Sequence, residues 1–428
     1  MLVEFSVQNF RSFYKKVTFS MEAASRNEHD DHTYTLADQR LLKTSVIYGA
    51  NASGKSNLFK ALVFMKDLVL NSSKESQAGE EIPVEPFLLN SLGRSEATEM
   101  EVIIIIGDEL YRYGFAAFSH GIEREWLFVR NSKARSREIN LFTRERNQII
   151  NLHKRFREGS DRIIEFLRGN SLFLSLIAQF NGEISSKIVK VFWNTNIWNI
   201  ESFMPVHTSV LLKDNLIPND WVKEFLVKSD VGIKSFSIRE EEMGAGKISN
   251  SMVAKAGSAK FINLFIQTEH EYYDTKDEKF KSEWFDMNKQ ESEGTKKFFS
   301  LSGLLYHTLK NGGILFIDEI ENSLHPQLTK IIIRLFRDQE TNPLGAQLVF
   351  TTHNTSTLDK DFFRRDEIWF TEKDSNNSTD LYSLIEYKLP KGKARKDSSY
   401  SKDYIRGKYG AVPYLKYSDF VDLFIGNS

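Results

Sequence analysis

The chain has 428 residues, 41% of them hydrophobic, enough to bury a sizeable core and to divide into two lobes. Its 57 basic and 58 acidic side chains leave a formal net charge of -1, so no whole-molecule field draws it to nucleic acid and any basic surface must be local. It has no cysteine, which excludes disulfides, thiolate metal sites and cysteine nucleophiles, and suits a reducing, cytoplasmic setting.

Met1-Leu2-Val3-Glu4-Phe5 alternates like a strand and carries an early acid, unlike a signal peptide. No apolar run is long enough to cross a bilayer, so a soluble protein with no membrane partner is expected. Leu2 to Gln8 and Val17 to Met21 read as two strands joined by the polar corner Asn9-Phe10-Arg11-Ser12-Phe13. Ala23 to Arg40, polar and rich in His and Asp, reads as a loop or lid.

The stretch Val46 to Asn57 carries the strongest signal. A buried strand, Leu41 to Tyr48, runs into the Gly-bounded loop Gly49-Ala50-Asn51-Ala52-Ser53-Gly54-Lys55-Ser56, and a helix follows from Asn57 to Val69. This is the context a GxxxxGK[ST] phosphate loop requires. Glycines let backbone N–H groups turn inward around a phosphate, the helix offers its positive end, Lys55 adds a point charge and Ser56 offers a hydroxyl to Mg²⁺.

After a connector, Asn71 to Glu81, three strands follow at Val102 to Ile106, Leu110 to Phe118 and Ile122 to Val129. The short polar turns between them predict an antiparallel meander beside a nucleotide-binding sheet. Helical spacing dominates Arg162 to Phe180 and Ser185 to Trp193, interrupted later by Pro205, Pro218 and Gly244-Ala245-Gly246. No heptad pattern persists, so long coiled-coil arms are not expected. The resulting division is an N-terminal core lobe over 1–130, an inserted and mainly helical domain over 131–260, and a C-terminal core lobe over 261–428.

In that last lobe, Phe261 to Glu269 reads as a strand, Thr295 to Leu309 as a helix closed by Asn311-Gly312-Gly313, Ile314 to Ile317 as an apolar strand, Gln327 to Arg337 as a helix and Ala346 to Phe350 as a buried strand. This alternation predicts an α/β fold with a mostly parallel, helix-covered sheet. Glu367 to Phe370 and Leu381 to Tyr387 suggest two more strands. Lys388 to Lys402 suggests a basic loop or tail element, within which Lys388 to Lys396 is either a solvated surface or a contact for DNA.

Three further sites belong with the phosphate loop. The strand Ile314 to Ile317 ends in Asp318 and Glu319; beside a phosphate loop the first suits the Mg²⁺ shell and the second the attacking water. His353, after the strand Gln347 to Phe350, stands where an open α/β sheet binds its ligand and suits a donor to a terminal phosphate. Ser292-Glu293-Gly294 opens a helix, which makes either an anion site or an ordinary N-cap.

Gly49 to Ser56, Ser292 to Gly294, Ile314 to Glu319, Asn322-Ser323-Leu324-His325-Pro326 and His353 fall in the order of Walker A, signature, Walker B, D-loop and H-switch. The chain therefore resembles an ABC-type ATPase of the branch that holds the RecF, Rad50 and OLD-like proteins. Its Asn-Phe-Arg-Ser-Phe corner, GANASGKSN loop, DEIENSLHP and TTHN resemble most the bacterial abortive-infection ATPases of the AbiL type and the sensor ATPase of the phage anti-restriction-induced system.

The resemblance implies ATP and Mg²⁺ as cofactors and a homo-oligomer in which two protomers sandwich each nucleotide. Gly49, Asn51, Ser53, Gly54, Lys55, Ser56 and Asn57 would cradle ATP, with Ser56 and Asp318 on the metal. Glu319 would act on the water and His353 on the γ-phosphate. Ser292 and Gly294 would reach the partner's nucleotide, and Arg11 is a candidate contact for phosphate or adenine. Glu291 and Glu293 stand where the transporter LSGGQ signature has Leu and Gly, which argues against a permease-coupled subunit. Gln179 and Gln267 are the candidates for a Q-loop glutamine.

The segment after His353 is short, so a nuclease domain of the OLD kind is not expected within the chain. The resemblance thus implies a sensor or regulator of anti-phage defence, answering a phage-derived trigger and controlling a separate toxic effector such as a nuclease. A RecF-like clamp on DNA is the rival reading, and a scaffold that holds ATP without turnover is a third.

Overall fold

A computed structural model describes residues 1–25, 28–133, 136–198, 205–242, 252–254, 261–322, 324–387, 399–412 and 421. The chain forms two compact units, Met1–Trp193 with Val349–Ser428, and Asn194–Leu348.

The first unit opens with β1 (Leu2–Gln8) and β2 (Val17–Ser20), paired antiparallel with Val7 opposite Val17. Asn9 and Arg11 in the corner between them adopt positive φ, 51° and 49°. The Asn9 amide holds that conformation by donating to the carbonyls of Gly93 (2.8 Å) and Glu96 (2.7 Å). Next, β3 (Thr33–Leu36) and β4 (Gln39–Leu42) make a hairpin, so the second half of the expected Ala23 to Arg40 loop is sheet.

The apolar run expected as one strand from Leu41 to Tyr48 breaks at Lys43, after which β5 (Thr44–Gly49) is buried at every residue. Then comes α1 (Lys55–Asn71), its buried stripe including Leu58, Leu62, Met65 and Val69. The meander follows as β6 (Thr98–Ile106), β7 (Glu109–Phe118) and β8 (Gly121–Asn131), joined by the two-residue turns that polar dipeptides favour.

The meander does not stop at 130. Strands β9 (Ile139–Glu145) and β10 (Gln148–Leu152) extend it, giving a seven-stranded antiparallel sheet in the order β10-β9-β8-β7-β6-β1-β2. Against it stands a buried ion pair. Arg144 on β9 and Glu125 on β8 are both fully buried and 3.3 Å apart. Glu125 accepts the Tyr113 hydroxyl (3.0 Å) and the backbone N–H groups of Phe173 (2.7 Å) and Leu174 (2.9 Å). Arg144 donates to the carbonyls of Ser171 (2.5 Å) and Arg168 (2.9 Å). The pair thereby pins the start of the helix α3 (Phe173–Gln179), which follows the single turn α2 (Asp161–Ile164) and precedes α4 (Glu183–Trp193).

The second unit begins with β11 (Thr195–Trp198), followed by α5 (Val206–Lys213), α6 (Asn219–Lys228), β12 (Ile233–Glu242), β13 (Met252–Ala254), β14 (Phe261–Asp274) and β15 (Lys279–Asp286). All three other strands of this sheet pair antiparallel with the long β14. Helix α7 (Glu293–Asn311) ends at Gly312, whose φ of 59° is the left-handed C-cap geometry that glycine favours. It packs against α5, where Gly303 leaves no room for a side chain beside Thr208 and Thr208 donates to the Ser300 carbonyl at 2.7 Å. After it come β16 (Ile314–Ile317), parallel to β11, and α8 (Pro326–Arg337), with Pro326 at the N-terminal position it suits.

The division between units falls inside β17 (Gln347–Thr351). Back in the first unit, β18 (Ile368–Lys373) runs parallel to β5 with Ile368 opposite Val46, β19 (Thr379–Ser383) pairs antiparallel with β18, and α9 (Tyr400–Ile405) follows. The fold is α/β, as expected. The segment 131–260 is not one mainly helical body. Its first part completes the meander sheet, α2 to α4 stay in the first unit, and only the part from Asn194 enters the second, where strands form again because β-branched and aromatic runs find sheet partners. Gly244-Ala245-Gly246 and most of the basic stretch Lys388 to Lys402 lie outside the described residues.

Candidate nucleotide site

The phosphate loop joins β5 to α1. Gly54 has φ 115°, in the left-handed region, and a Cβ there would overlap Thr379 and approach Ser12 Oγ to 2.9 Å. A side chain on Gly49 would overlap Thr371 and come within 2.5 Å of Ser53 Oγ. The glycines are thus fixed by their neighbours as well as by the turn.

Helix α1 starts with no side-chain cap and no acid in its first turn, which leaves its leading N–H groups and positive end for an anion. Lys55 is buried, its ammonium donating to the carbonyls of Gly49 (2.9 Å) and Ala50 (3.1 Å). A phosphate in the loop offers that ammonium charged acceptors in place of neutral ones, a gain of roughly twofold in hydrogen-bond strength. Ser56 is half-buried at the second helical position, so its hydroxyl suits a metal ion held beside the phosphates.

Other loop residues are tied to distant parts of the chain. Ser53 Oγ bonds Thr371 Oγ1 of β18 at 2.6 Å, buried, and its carbonyl accepts from Thr379 Oγ1 of β19 at 2.7 Å. Asn57 donates to Ser12 Oγ at 2.9 Å, and the Thr379 amide donates to the Ser12 carbonyl at 2.7 Å. Two threonines more than 300 residues away and one serine in the N-terminal corner therefore carry the loop; no local pattern marks them.

Arg11, beside Ser12, pairs with Glu85 at 2.5 Å, and its Nε is buried without a partner. Reaching a nucleotide would require that ion pair to open. His353 is exposed and lines one cleft of about 550 Å³ with Gly49, Ala50, Asn51, Tyr404, Ile405 and Val412. The histidine segment is tied to the loop's own strand, since Thr352 N–H donates to the Ile47 carbonyl (3.2 Å) and Tyr48 OH to the Asn354 carbonyl (3.4 Å). Burial pushes the Tyr404 phenol up to about 12, keeping it a neutral donor, here to the Ala411 carbonyl at 3.0 Å.

The second unit holds the remaining candidates. Asp318 is buried at the end of β16, and Glu319 follows with φ 49°. Asn322 Nδ2 donates to Glu319 Oε2 at 2.5 Å, and Ser323 of the D-loop stretch lies outside the described residues. Ser292 caps α7, its Oγ accepting the Thr295 N–H at 3.1 Å, with Gly294 in the first turn. Glu291 faces inward, accepting from Thr268 and lying 2.6 Å from His270 Nε2, a polar anchor where a transporter signature has an apolar one. Of the two glutamines, Gln179 ends α3 and lines a cavity with Lys74 and Trp193, while Gln267 lies in β14 opposite Ser237 and Asp286.

A family model described as "AAA domain, putative AbiEii toxin, Type IV TA system" matches residues 45–359, from the strand of the phosphate loop past His353. The chain belongs to this AAA-domain family. It is a P-loop ATPase by family, and its loop is a nucleotide-binding one. Two solved structures resemble this AAA-domain chain. Both are of the recombination mediator protein RecF in the RecFOR pathway. The ATP form is 14% identical with a TM-score of 0.35, covering 89% of this chain and 97% of that one. The form titled ATPrS is 13% identical with a TM-score of 0.32, covering 89% and 98%. No curated protein matches. Among the described residues no helix is long and apolar enough to cross a membrane.

Gly54→Ala is expected to weaken ATP binding at least tenfold with the fold kept. The left-handed φ costs a non-glycine residue about 1–3 kcal/mol, and the added methyl displaces Thr379 from beneath the loop. Titration with a fluorescent ATP analogue, beside a far-ultraviolet dichroism spectrum, checks it; unchanged affinity would refute the role given to Thr379.

Proposed function

We propose that this AAA-domain protein binds and hydrolyses Mg²⁺-ATP and acts as a regulator in bacterial anti-phage, abortive-infection defence, controlling a separate toxic effector. The observation that carries the ATP part is the phosphate loop itself: an uncapped helix start and a buried Lys55 lie beside Gly49 and Ala50, which share one cleft with His353. In this reading Ser56 and Asp318 hold Mg²⁺, Glu319 orients and deprotonates the attacking water, and His353 donates to the γ-phosphate. The nucleotide is held between two copies, with Ser292 and Gly294 of one reaching the ATP of the other. ATP then acts as a switch, holding protomers together until hydrolysis releases them and the effector with them.

The defence part is supported by the family description, which names a toxin and a type IV toxin–antitoxin system. It is also supported by the sequence resemblance to abortive-infection ATPases, including the AbiL type and the sensor of the phage anti-restriction-induced system.

The test is a pull-down of tagged Glu319→Gln protein with Mg²⁺-ATP from cells expressing its neighbouring genes, read by mass spectrometry and a nucleic-acid stain. A stoichiometric protein partner with toxic chemistry, lost in Lys55→Ala, is the expected result. Co-purifying DNA with no such partner would replace the regulator by a RecF-like clamp, whose binding should fall steeply with salt.

A further inference from the structure

Away from the phosphate loop, in the turn Asp30–His32 that precedes β3 and at its N-cap His29, the residues His29, Asp31 and His32 bring one potential ligand atom each within 4.8 Å of one another. What stands behind each imidazole fixes its tautomer. His29 Nε2 lies 2.9 Å from the Lys360 carbonyl oxygen, which can only accept, so Nε2 carries the proton and Nδ1 keeps a lone pair. His32 Nδ1 lies 2.9 Å from Glu367 Oε2. That carboxylate is placed among donors, taking the Arg364 N–H at 2.8 Å on the same oxygen and the Thr44 hydroxyl on the other. His32 Nδ1 therefore donates as well, and Nε2, 3.9 Å from Asp31 Oδ2, keeps its lone pair.

We propose that His29, Asp31 and His32 form a binding site for a divalent transition-metal ion of the zinc class. An imidazole with an acceptor behind its far nitrogen is how metal-binding histidines are held, and carboxylate and carbonyl are the usual acceptors. Two imidazole nitrogens and one carboxylate oxygen suit zinc, with the fourth tetrahedral position left for water. The two rings stack, their centroids 4.7 Å apart and their planes at 8°. Their lone pairs must converge to share one ion at about 2.0–2.1 Å. His32 is buried and anchored, while His29 is half-buried, so His29 is the side chain that adjusts to close the site, pivoting about its contact with the Lys360 carbonyl.

The ion has a structural consequence for β5. Glu367 bonds Thr44 and accepts the Ser45 hydroxyl on its carbonyl at 2.9 Å, both at the start of that strand. A metal held by His32 thus braces the end of β5 opposite the phosphate loop.

The test uses the full chain, stripped with chelator, loaded with zinc chloride and dialysed against metal-free buffer. One equivalent of zinc by plasma mass spectrometry is expected in the wild type and in Lys55→Ala, with little in His29→Ala or Asp31→Asn. Zinc should raise the melting temperature of the wild type by about 5 °C at a hundredfold excess over its dissociation constant, and not that of His29→Ala. Cobalt(II) in its place should show visible absorption bands of a tetrahedral site. No retained zinc in the wild type, or equal zinc in His29→Ala, would overturn the proposal. Neither outcome bears on ATP binding, which is read separately.

Discussion

Glu319→Gln is expected to lower steady-state phosphate release by about 10²–10⁴-fold with ATP affinity nearly unchanged. The backbone is the first reason. A φ of 49° is strained for a glutamate, and such strain persists where surrounding structure holds it for a purpose. Here it turns the chain at the end of β16 immediately after the buried Asp318. Asn322 then grips the result, its side chain on Glu319 Oε2 and its N–H on the Glu319 carbonyl at 2.9 Å. Glutamine keeps an oxygen for Asn322 and the same length, but cannot take a proton from water. The variant should therefore fold, bind ATP and stall. Turnover at the wild-type rate would remove Glu319 from the chemistry, and no turnover by the wild type at saturating ATP would favour a scaffold that holds its nucleotide.

Arg144→Met should destabilise the first unit by about 3–5 kcal/mol, because it leaves Glu125 buried without its cation. Burial pushes the Glu125 carboxyl up from its ordinary 4.5, with Arg144, the Leu174 and Phe173 amides and Tyr113 opposing. Removing the guanidinium raises it further. A carboxyl whose folded pKa exceeds its unfolded one binds a proton on folding, so stability is lost as pH rises from about 4.5 through the folded value. The damage from Arg144→Met should therefore be smaller at pH 4.5 than at pH 7.5. A double variant, Glu125→Leu with Arg144→Met, should cost less than the single one, since no charge is then stranded. Urea unfolding at both pH values measures all of this; a pH-independent cost would mean that lost packing outweighs the charge.

Elements with strong local periodicity were legible in the sequence. Helices α1 and α7 and the three strands from Thr98 to Asn131 lie where hydrophobic spacing put them, because each has one buried face and a clear stop. The hairpin of β3 and β4 escaped because its turn places Ala37 and Asp38 at positive φ, where glycine or asparagine would have advertised it. The helix expected over Arg162 to Phe180 breaks after Ile164, and tertiary contacts decide that. Arg168 turns back to the Ser73 carbonyl at 2.9 Å and to Ser72 and Ser76, and Asn170 to Gln77 and Glu80. At the site, the loop motif named its own residues, but Thr371 and Thr379 act only through folded proximity.

The pairing of β5 with β18 bears on how the protein is made. Val46 leaves the ribosome well before its parallel neighbour Ile368, which is about 300 residues behind it. At about 5–20 residues per second, the strand that carries the phosphate loop waits on the order of 15–60 s for its neighbour. Thr371 and Thr379, the struts beneath the loop, arrive in the same late stretch. A nascent chain that has not yet reached β18 and β19 therefore has the motif without its supports, and the loop is complete only once Thr371 and Thr379 have been made.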